Sequence, residues 1–388
     1  MIPTLRREFN ANFTEAKYER FLRLLDEGCG THVAFRNSET PCFFPRPLME
    51  KLALYGREMI LQLVGNAGYL AAASATIPEE FRVAGDEGRP LFIQVDFGLD
   101  QHGEPKLVEI QGFPSLYAYQ PYLTETYRSA YGIDPSLSSL LGGFDQASYR
   151  DLLNRAIVGD HDPENVVLLE IDPYEQKTLC DFLLTERMCG VPIVNLRAVV
   201  QSGHRLFYAR DGKQIPIERI YNRVIVDELQ RKSITPPFDL RDDLEVEWAT
   251  HPNWYYKISK FALPYLNHIA APRCRFLSEI ETLPDNLEDF VLKPLFSFAG
   301  LGVRVSPTLD EVKQVRDRPD YILQERIDFA PTIETPYGPT KAEIRIMFLW
   351  LDELTPCTVL VRMGRGKMMG VDHNRDLRWV GASAAFIR

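Results

Sequence analysis

The sequence has no Cys-x-x-Cys pair; its six cysteines, Cys29, Cys42, Cys180, Cys189, Cys274 and Cys357, lie scattered along 388 residues. That excludes the common zinc and dithiol frameworks, and in a chain of this length it reads as free thiols in a reducing compartment. The histidines show no His-x-x-x-His spacing, so a zinc hydrolase has no ligand frame. No apolar stretch approaches the roughly 18 residues of a membrane span. The opening MIPTLRREFN lacks the apolar run of a secretion signal, and a cytoplasmic protein is expected. Positive charge is also short. The net charge of −10 disfavours nucleic acid and anionic membranes as partners, while leaving room for a local basic pocket.

Two common phosphate-binding signatures fail. Gly364-Arg365-Gly366-Lys367 lacks the earlier glycine of a P-loop, and Met368 stands in place of Ser or Thr. Gly300-Leu301-Gly302 begins a dinucleotide fingerprint, but Val305 occupies the third glycine position. No Gly-x-Ser-x-Gly nucleophile elbow occurs.

What is present is the composition of an ordinary globular protein. Hydrophobic residues make up 45% and charged residues 25%, which supports a sizeable core. The length suggests two or three domains at roughly 100 to 200 residues each. Residues 46–76 look helical, with an Ala-rich stretch at Leu70 to Ala75. Leu91 to Phe97 and Lys106 to Ile110 read as two strands joined by the turn DQHG. Val166 to Ile171, a helix from Tyr174 to Met188 and a strand at Pro192 to Val194 form a β-α-β unit, and Ile217 to Val226 continues that small parallel sheet. Arg231 to Asp243 reads as a linker or surface loop. Further strands are expected at Phe290 to Lys293, Val303 to Val305, Tyr321 to Gln324, Glu343 to Leu349 and Thr358 to Val361. A helix at Asp310 to Val315 has Thr308 as its cap. The class is α+β with mixed sheets. The expected division is residues 1–160, a small α/β domain at 161–240, and residues 241–388.

The chemistry concentrates in the last third and in one hairpin. Lys293 ends the apolar strand FVLK, where an ammonium can point into a cleft toward phosphate. The loop LFSFAGLG follows, and its small residues Ala299, Gly300 and Gly302 let backbone N–H groups approach an anion closely. An ordinary hairpin loop behind a surface lysine fits the same residues. In the hairpin, Glu109 and Gln111 are two apart on a strand and so share a face, with Asp96 on the neighbouring strand. Such oxygen donors suit magnesium, although a solvent-facing acidic hairpin is also common in acidic proteins. Glu170 and Asp172 end a parallel strand, where ligands often bind. Asp172 also fits a helix N-cap, and Arg223 fits either a substrate carboxylate or a structural ion pair.

The order of these segments resembles the ATP-grasp superfamily. KPLFSFAGLGV is similar to its lysine strand and glycine-rich flap, ILQERI to the hinge that holds adenine, and EIRIMFLW to the strand whose arginine meets the phosphates. Lys260 in YYKISKF best matches the family's upstream lysine. The aspartate strand and the Glu-x-Asn strand that usually follow are matched instead by VDFGLDQHGEPKLVEIQGFPS. This resembles the circularly permuted, glutathionylspermidine synthetase-type ATP-grasp proteins. The resemblance covers residues 91–114 and roughly 255–388. It departs at Gln111, where Asn is usual, at Gln94, where relatives tend to place arginine, and at Phe298 and Ala299, where they tend to place charged residues.

The resemblance implies a permuted ATP-grasp fold with a small parallel, pre-ATP-grasp-like domain. It implies an ATP-dependent ligase that joins a carboxylate to an amine through an acylphosphate. Asp96, Glu109 and Gln111 would hold magnesium, with two ions expected. Lys260 and Lys293 would hold the α- and β-phosphates, with Ser297, Gly300 and Gly302 in the flap. Gln324, Glu325 and Ile327 would hold adenine and Asp328 the ribose. Arg345 and Arg362 would act on the migrating phosphoryl group. A phosphotransferase and a nucleotide-binding regulatory module remain as alternatives, and neither substrate is named by the sequence.

Overall fold

The computed structural model describes residues 1–85, 88–297, 300–366, 369, 374 and 376–388. The flap positions Phe298 and Ala299 lie outside the described residues, as do Lys367 and Met368.

The largest sheet has six strands, in the order Cys42–Phe44, Gly381–Ile387, Leu354–Gly364, Lys341–Trp350, Phe92–Leu99 and Pro105–Gln111. Its pairings are antiparallel except for the parallel edge of Cys42–Phe44 on Gly381–Ile387. The expected hairpin is present. At its turn Asp100 accepts N–H bonds from His102 and Glu104, and Gly103 supplies the left-handed conformation (φ +75°). This hairpin lies against Lys341–Trp350, so strands from both ends of the chain share one sheet.

Two helices cover part of that sheet within the expected stretch 46–76. Arg46–Val64 buries Met49, Leu52, Ala53, Gly56, Met59, Ile60 and Leu63, the i, i+3, i+4 stripe of a helix on a core. A Cβ at Gly56 would meet the Phe348 ring at 2.9 Å, which shows how closely helix and sheet approach. The stretch breaks at Gly65 and restarts under Asn66, whose side chain accepts the Tyr69 N–H of Ala67–Ala75.

A second sheet of four parallel strands runs Glu247–Trp248, Arg219–Asn222, Val166–Glu170, Ile193–Asn195. The β-α-β reading holds, with two adjustments. The helix is Leu179–Cys189 after a separate short turn, Pro173–Glu175, because Pro173 starts a turn but the segment 176–178 does not continue it. The strand expected at 217–226 is shorter, Arg219–Asn222, and Val226–Arg231 is helical. Between Arg231 and Glu247 no helix or strand occurs among the described residues, in keeping with the expected loop.

A third, antiparallel sheet runs Cys274–Phe276, Tyr321–Glu325, Phe290–Pro294, Arg304–Val305. The helix Leu309–Lys313 follows, with Thr308 and Glu311 forming a reciprocal capping box. A three-stranded meander, Val200–Ser202, Arg205–Arg210 and Lys213–Ile217, completes the mixed α and β architecture. One apolar core joins residues of 42–110 with residues of 254–387, and a second joins residues of 9–221 with residues of 249–386. No helix among the described residues is long and apolar enough to cross a membrane.

Candidate functional site

Residues directly opposite on antiparallel strands point to the same face. In the six-stranded sheet Asp96 stands opposite both Glu109 and Arg345, Gln94 opposite Gln111, and Glu343 opposite Arg362. Strand alternation therefore collects Gln94, Asp96, Glu109, Gln111, Glu343, Arg345 and Arg362 on one face. Gly98, opposite Glu343, keeps this face open to the Phe329 ring, which an added Cβ would strike.

The charges on this face interlock. Arg345 donates through Nε to Asp96 Oδ1 at 2.5 Å and through Nη2 to Asp96 Oδ2 at 2.6 Å. Its Nη1 donates to Gln94 Oε1 at 2.7 Å, and Gln94 Nε2 in turn donates to the Ser115 carbonyl at 2.8 Å. Arg362 Nη2 reaches Asp96 Oδ2 at 2.5 Å and pairs with Glu343. Glu109 lies 3.8 Å from Arg345 and accepts from Gln111. Burial opposes ionisation of Asp96, but Arg345 and Arg362 outweigh it and hold the carboxyl below the ordinary range. Burial raises the Glu343 carboxyl, against the pull of Arg362.

The third sheet faces the edge strand Pro105–Gln111. A bulge between the two register pairs Asp96–Glu109 and Phe97–Leu107 leaves Val108 unpaired, and its carbonyl accepts Lys293 Nζ at 3.0 Å. Burial lowers the Lys293 ammonium, while Glu109 works in the other direction. Gln324, opposite Val291 on the neighbouring strand, donates to the Leu107 carbonyl at 3.3 Å, and its own Oε1 is buried without a hydrogen-bond partner. Lys260 opens a short turn capped by Ser259 and donates to the Ser297 carbonyl at 2.6 Å, with Ser297 Oγ at 3.4 Å. Glu109, Gln111, Lys260, Phe296 and Ser297 line a common cavity of about 30 Å³, space for a water or two.

The structure thus brings together Asp96, Glu109, Gln111, Arg345, Arg362, Lys260, Lys293, Ser297 and Gln324. Gly300 and Gly302 take left-handed φ of +75° and +74°, and a Cβ at Gly302 would press on Pro294 at 3.2 Å. Three expected residues look elsewhere or lie farther along. Glu325 is bound to Arg273 at 2.6 Å. Asp328 is largely exposed and pairs with Arg326 at 3.1 Å. The Ile327 carbonyl accepts the Phe329 N–H at 3.1 Å.

Two contributors escape a motif reading. Glu343 precedes Arg345 by two on a strand, so simple alternation places it on the same face. Asp181 has no such signal. It accepts the backbone N–H groups of Leu116, Ala118 and Tyr119 at 3.0 to 3.1 Å and sits 3.5 Å from buried Arg223. Arg223 thereby takes the structural ion-pair role, with a further bond to the Pro114 carbonyl at 2.5 Å. Asp172 makes no cap. It adopts left-handed backbone (φ 43°) and bonds Asn195 and Arg197.

Magnesium takes oxygen ligands, usually one or two carboxylates with phosphates and water. Glu109 and Gln111 fit that requirement, because both reach the cavity. Asp96 is engaged differently, with three guanidinium N–H groups bonded to its oxygens. Among the described residues, no three of His, Cys, Asp and Glu are grouped to hold a metal.

No family model matches the chain, and no curated protein matches it. Among solved structures, the apo form of a glutathione synthetase-like effector from Globodera pallida matches with a TM-score of 0.60 at 12% identity, covering 96% of this chain and 97% of the other. At that identity the likeness is one of fold, and the chain shares the mixed α and β, several-sheet architecture of that effector.

Proposed function

We propose that this chain is an ATP-grasp-type ligase, circularly permuted, which uses ATP to join a carboxylate to an amine. The observation that carries the reading is the convergence of Arg345, Arg362 and Glu109 on one sheet with Lys293 and Gln324 on the sheet that faces it. Residues 249 positions apart meet there, as the permuted motif order requires. The likeness to a glutathione synthetase-like effector is one of fold, and that fold is compatible with a ligase.

In this reading a substrate carboxylate oxygen attacks the γ-phosphorus of ATP, and the bond to ADP breaks. The amine then attacks the acyl carbon, loses a proton, and expels inorganic phosphate. Such phosphoryl transfer is catalysed mainly by positioning and charge. Arg345 and Arg362 would steady the migrating phosphoryl group, and Lys260 and Lys293 the other phosphates. The partnerless Gln324 Oε1 fits an adenine amino group, with backbone at Glu325 and Ile327 completing the hinge and Asp328 near the ribose. Ser297, Gly300 and Gly302 would close over the phosphates. A magnesium ion held by Glu109 and Gln111 would neutralise phosphate charge when bound.

The cavity lined by Lys260 and Ser297 has space for a water or two, and in this reading Lys260 would exchange its bond to the Ser297 carbonyl for phosphate contacts. One observation favours a nucleotide-binding regulatory role instead: Arg345 and Arg362 are both already engaged by Asp96. ADP formation separates the two readings. A panel of amino acids, peptides and polyamines should include a carboxylate and an amine that are both needed for ADP release. ATP binding without any such turnover would reject the ligase.

A further inference from the structure

We propose that Asp96 is the counter-ion that holds Arg345 and Arg362 together as an anion-binding pair, and not a cation ligand. Three N–H donors converge on its two oxygens: Arg345 Nε on one, Arg345 Nη2 and Arg362 Nη2 on the other. Its side chain is buried behind them, with 1% exposure, while Arg362 retains 24%. A cation coordinating Asp96 would compete with Arg345 at Oδ1 and with both guanidiniums at Oδ2. Two arginines this close would otherwise repel, and a shared carboxylate removes that repulsion.

The remaining partners fit the same role. Gln94 accepts from the remaining Nη1 of the Arg345 fork, and Glu343 pairs with the same Arg362 Nη2 that meets Asp96. The pair is therefore preorganised for a planar or tetrahedral oxyanion, the class of phosphoryl and carboxylate groups. Asp96 also offsets part of the pair's charge. Neutralising it should leave the pair less stable when empty and more avid for polyanions. A cation-binding carboxylate predicts the reverse, because neutralising it relieves repulsion from Glu109 and Glu343 in the metal-free protein.

The inference concerns the site of the ligase reading and rests on that reading only for which anion the pair serves in turnover. The test uses the full chain in EDTA, with inorganic tripolyphosphate as the probe. Asp96→Asn should lower the melting temperature by about 5 °C. Tripolyphosphate should bind the variant at least threefold more tightly than wild type and recover much of the lost stability. Glu109→Gln, which leaves the pair intact, should melt close to wild type. Asp96→Asn melting at or above wild type would overturn the proposal, as would tripolyphosphate affinity unchanged or weakened in that variant. If Asp96→Asn alone does not fold, the double variant with Arg345→Gln decides. Recovery of folded protein supports the counter-ion role, and failure of both variants overturns it. Failure of the ligase reading shows separately, as absence of ADP with every substrate pair while these melting shifts persist.

Discussion

Arg345 and Asp96, 249 residues apart in sequence, are direct partners across two antiparallel strands and meet through a forked pair of hydrogen bonds. The contact ties the hairpin at 92–111 to the strand Lys341–Trp350. Arg345→Gln leaves Asp96 buried with Arg362 as its remaining guanidinium partner, and it should destabilise the chain by about 3 kcal/mol in urea unfolding. Arg345→Lys keeps the charge but loses the fork, so it should recover less than half of that. A Lys variant as stable as wild type would show that charge alone suffices.

Asp181 has a comparable role at the loop after the glutamate strand. Its carboxylate collects three backbone N–H groups and faces Arg223, and one of those N–H groups belongs to Leu116, a non-glycine residue at φ +65°. A left-handed leucine costs on the order of 1 kcal/mol or more and persists only where its surroundings fix it. Asp181→Ala should therefore cost about 3 to 5 kcal/mol, by loss of the loop anchors and exposure of a buried, partly orphaned guanidinium. Hydrogen exchange at residues 115–119 should quicken in Asp181→Asn even where the fold survives. Unchanged exchange there would remove the anchoring role.

Much of this arrangement is legible in the sequence, and the exceptions have physical causes. The Asp96–Glu109 hairpin is readable because its strands are bounded by a polar turn and carry polar oxygen donors two apart, Gln94 with Asp96 and Glu109 with Gln111. The strands Cys42–Phe44 and Gly381–Ile387 are not, because every residue in them is buried and no alternation marks them. The meander at 200–217 does carry signals, Gly203 and the Asp211-Gly212 turn between alternating residues, and so lay within reach of hairpin rules. Asp181 is illegible because its partners are backbone groups. The engagement of Asp96 by two arginines is equally hidden, since spacing brings the carboxylate to the correct face but does not say which cation meets it.

Glu170 gives a pH prediction. Burial, opposed by Arg223, pushes its carboxyl from the ordinary 4.5 up to about 8. The unfolded chain releases this proton near 4.5 while the folded chain keeps it to about 8. Folding thus takes up a proton between those values, and Glu170 subtracts stability progressively as pH rises through that window. Glu170→Gln carries no such cost. Its stability relative to wild type should grow from pH 4.5 to 8, reaching at most about 5 kcal/mol, and stay level above. A difference independent of pH would place the Glu170 proton elsewhere.

Lys293 and Gln324 divide stability from binding on the sheet facing the site. Lys293 is buried, its ammonium is disfavoured by burial, and it donates to the bulged Val108 carbonyl. Lys293→Met keeps the apolar stem and removes a desolvated charge, at the expense of one carbonyl bond. The two effects oppose each other, so folding stability should change by less than about 1 kcal/mol. Binding should respond quite differently. If Lys293 supplies charge to a phosphate in a water-poor cleft, nucleotide affinity should fall by at least about tenfold, as expected for a lost charge-assisted hydrogen bond. Gln324→Leu removes a buried oxygen that has no partner and a long 3.3 Å bond to Leu107, so its stability should be neutral or slightly raised. Its effect on nucleotide affinity should be smaller than that of Lys293→Met, because an amide to the adenine edge adds to backbone contacts while the lysine carries charge. Calorimetric titration of ATP into each variant, beside its urea midpoint, measures both quantities. Equal and complete loss of binding in the two variants would reject this division of labour, and undiminished binding in Lys293→Met would remove the phosphate role from Lys293.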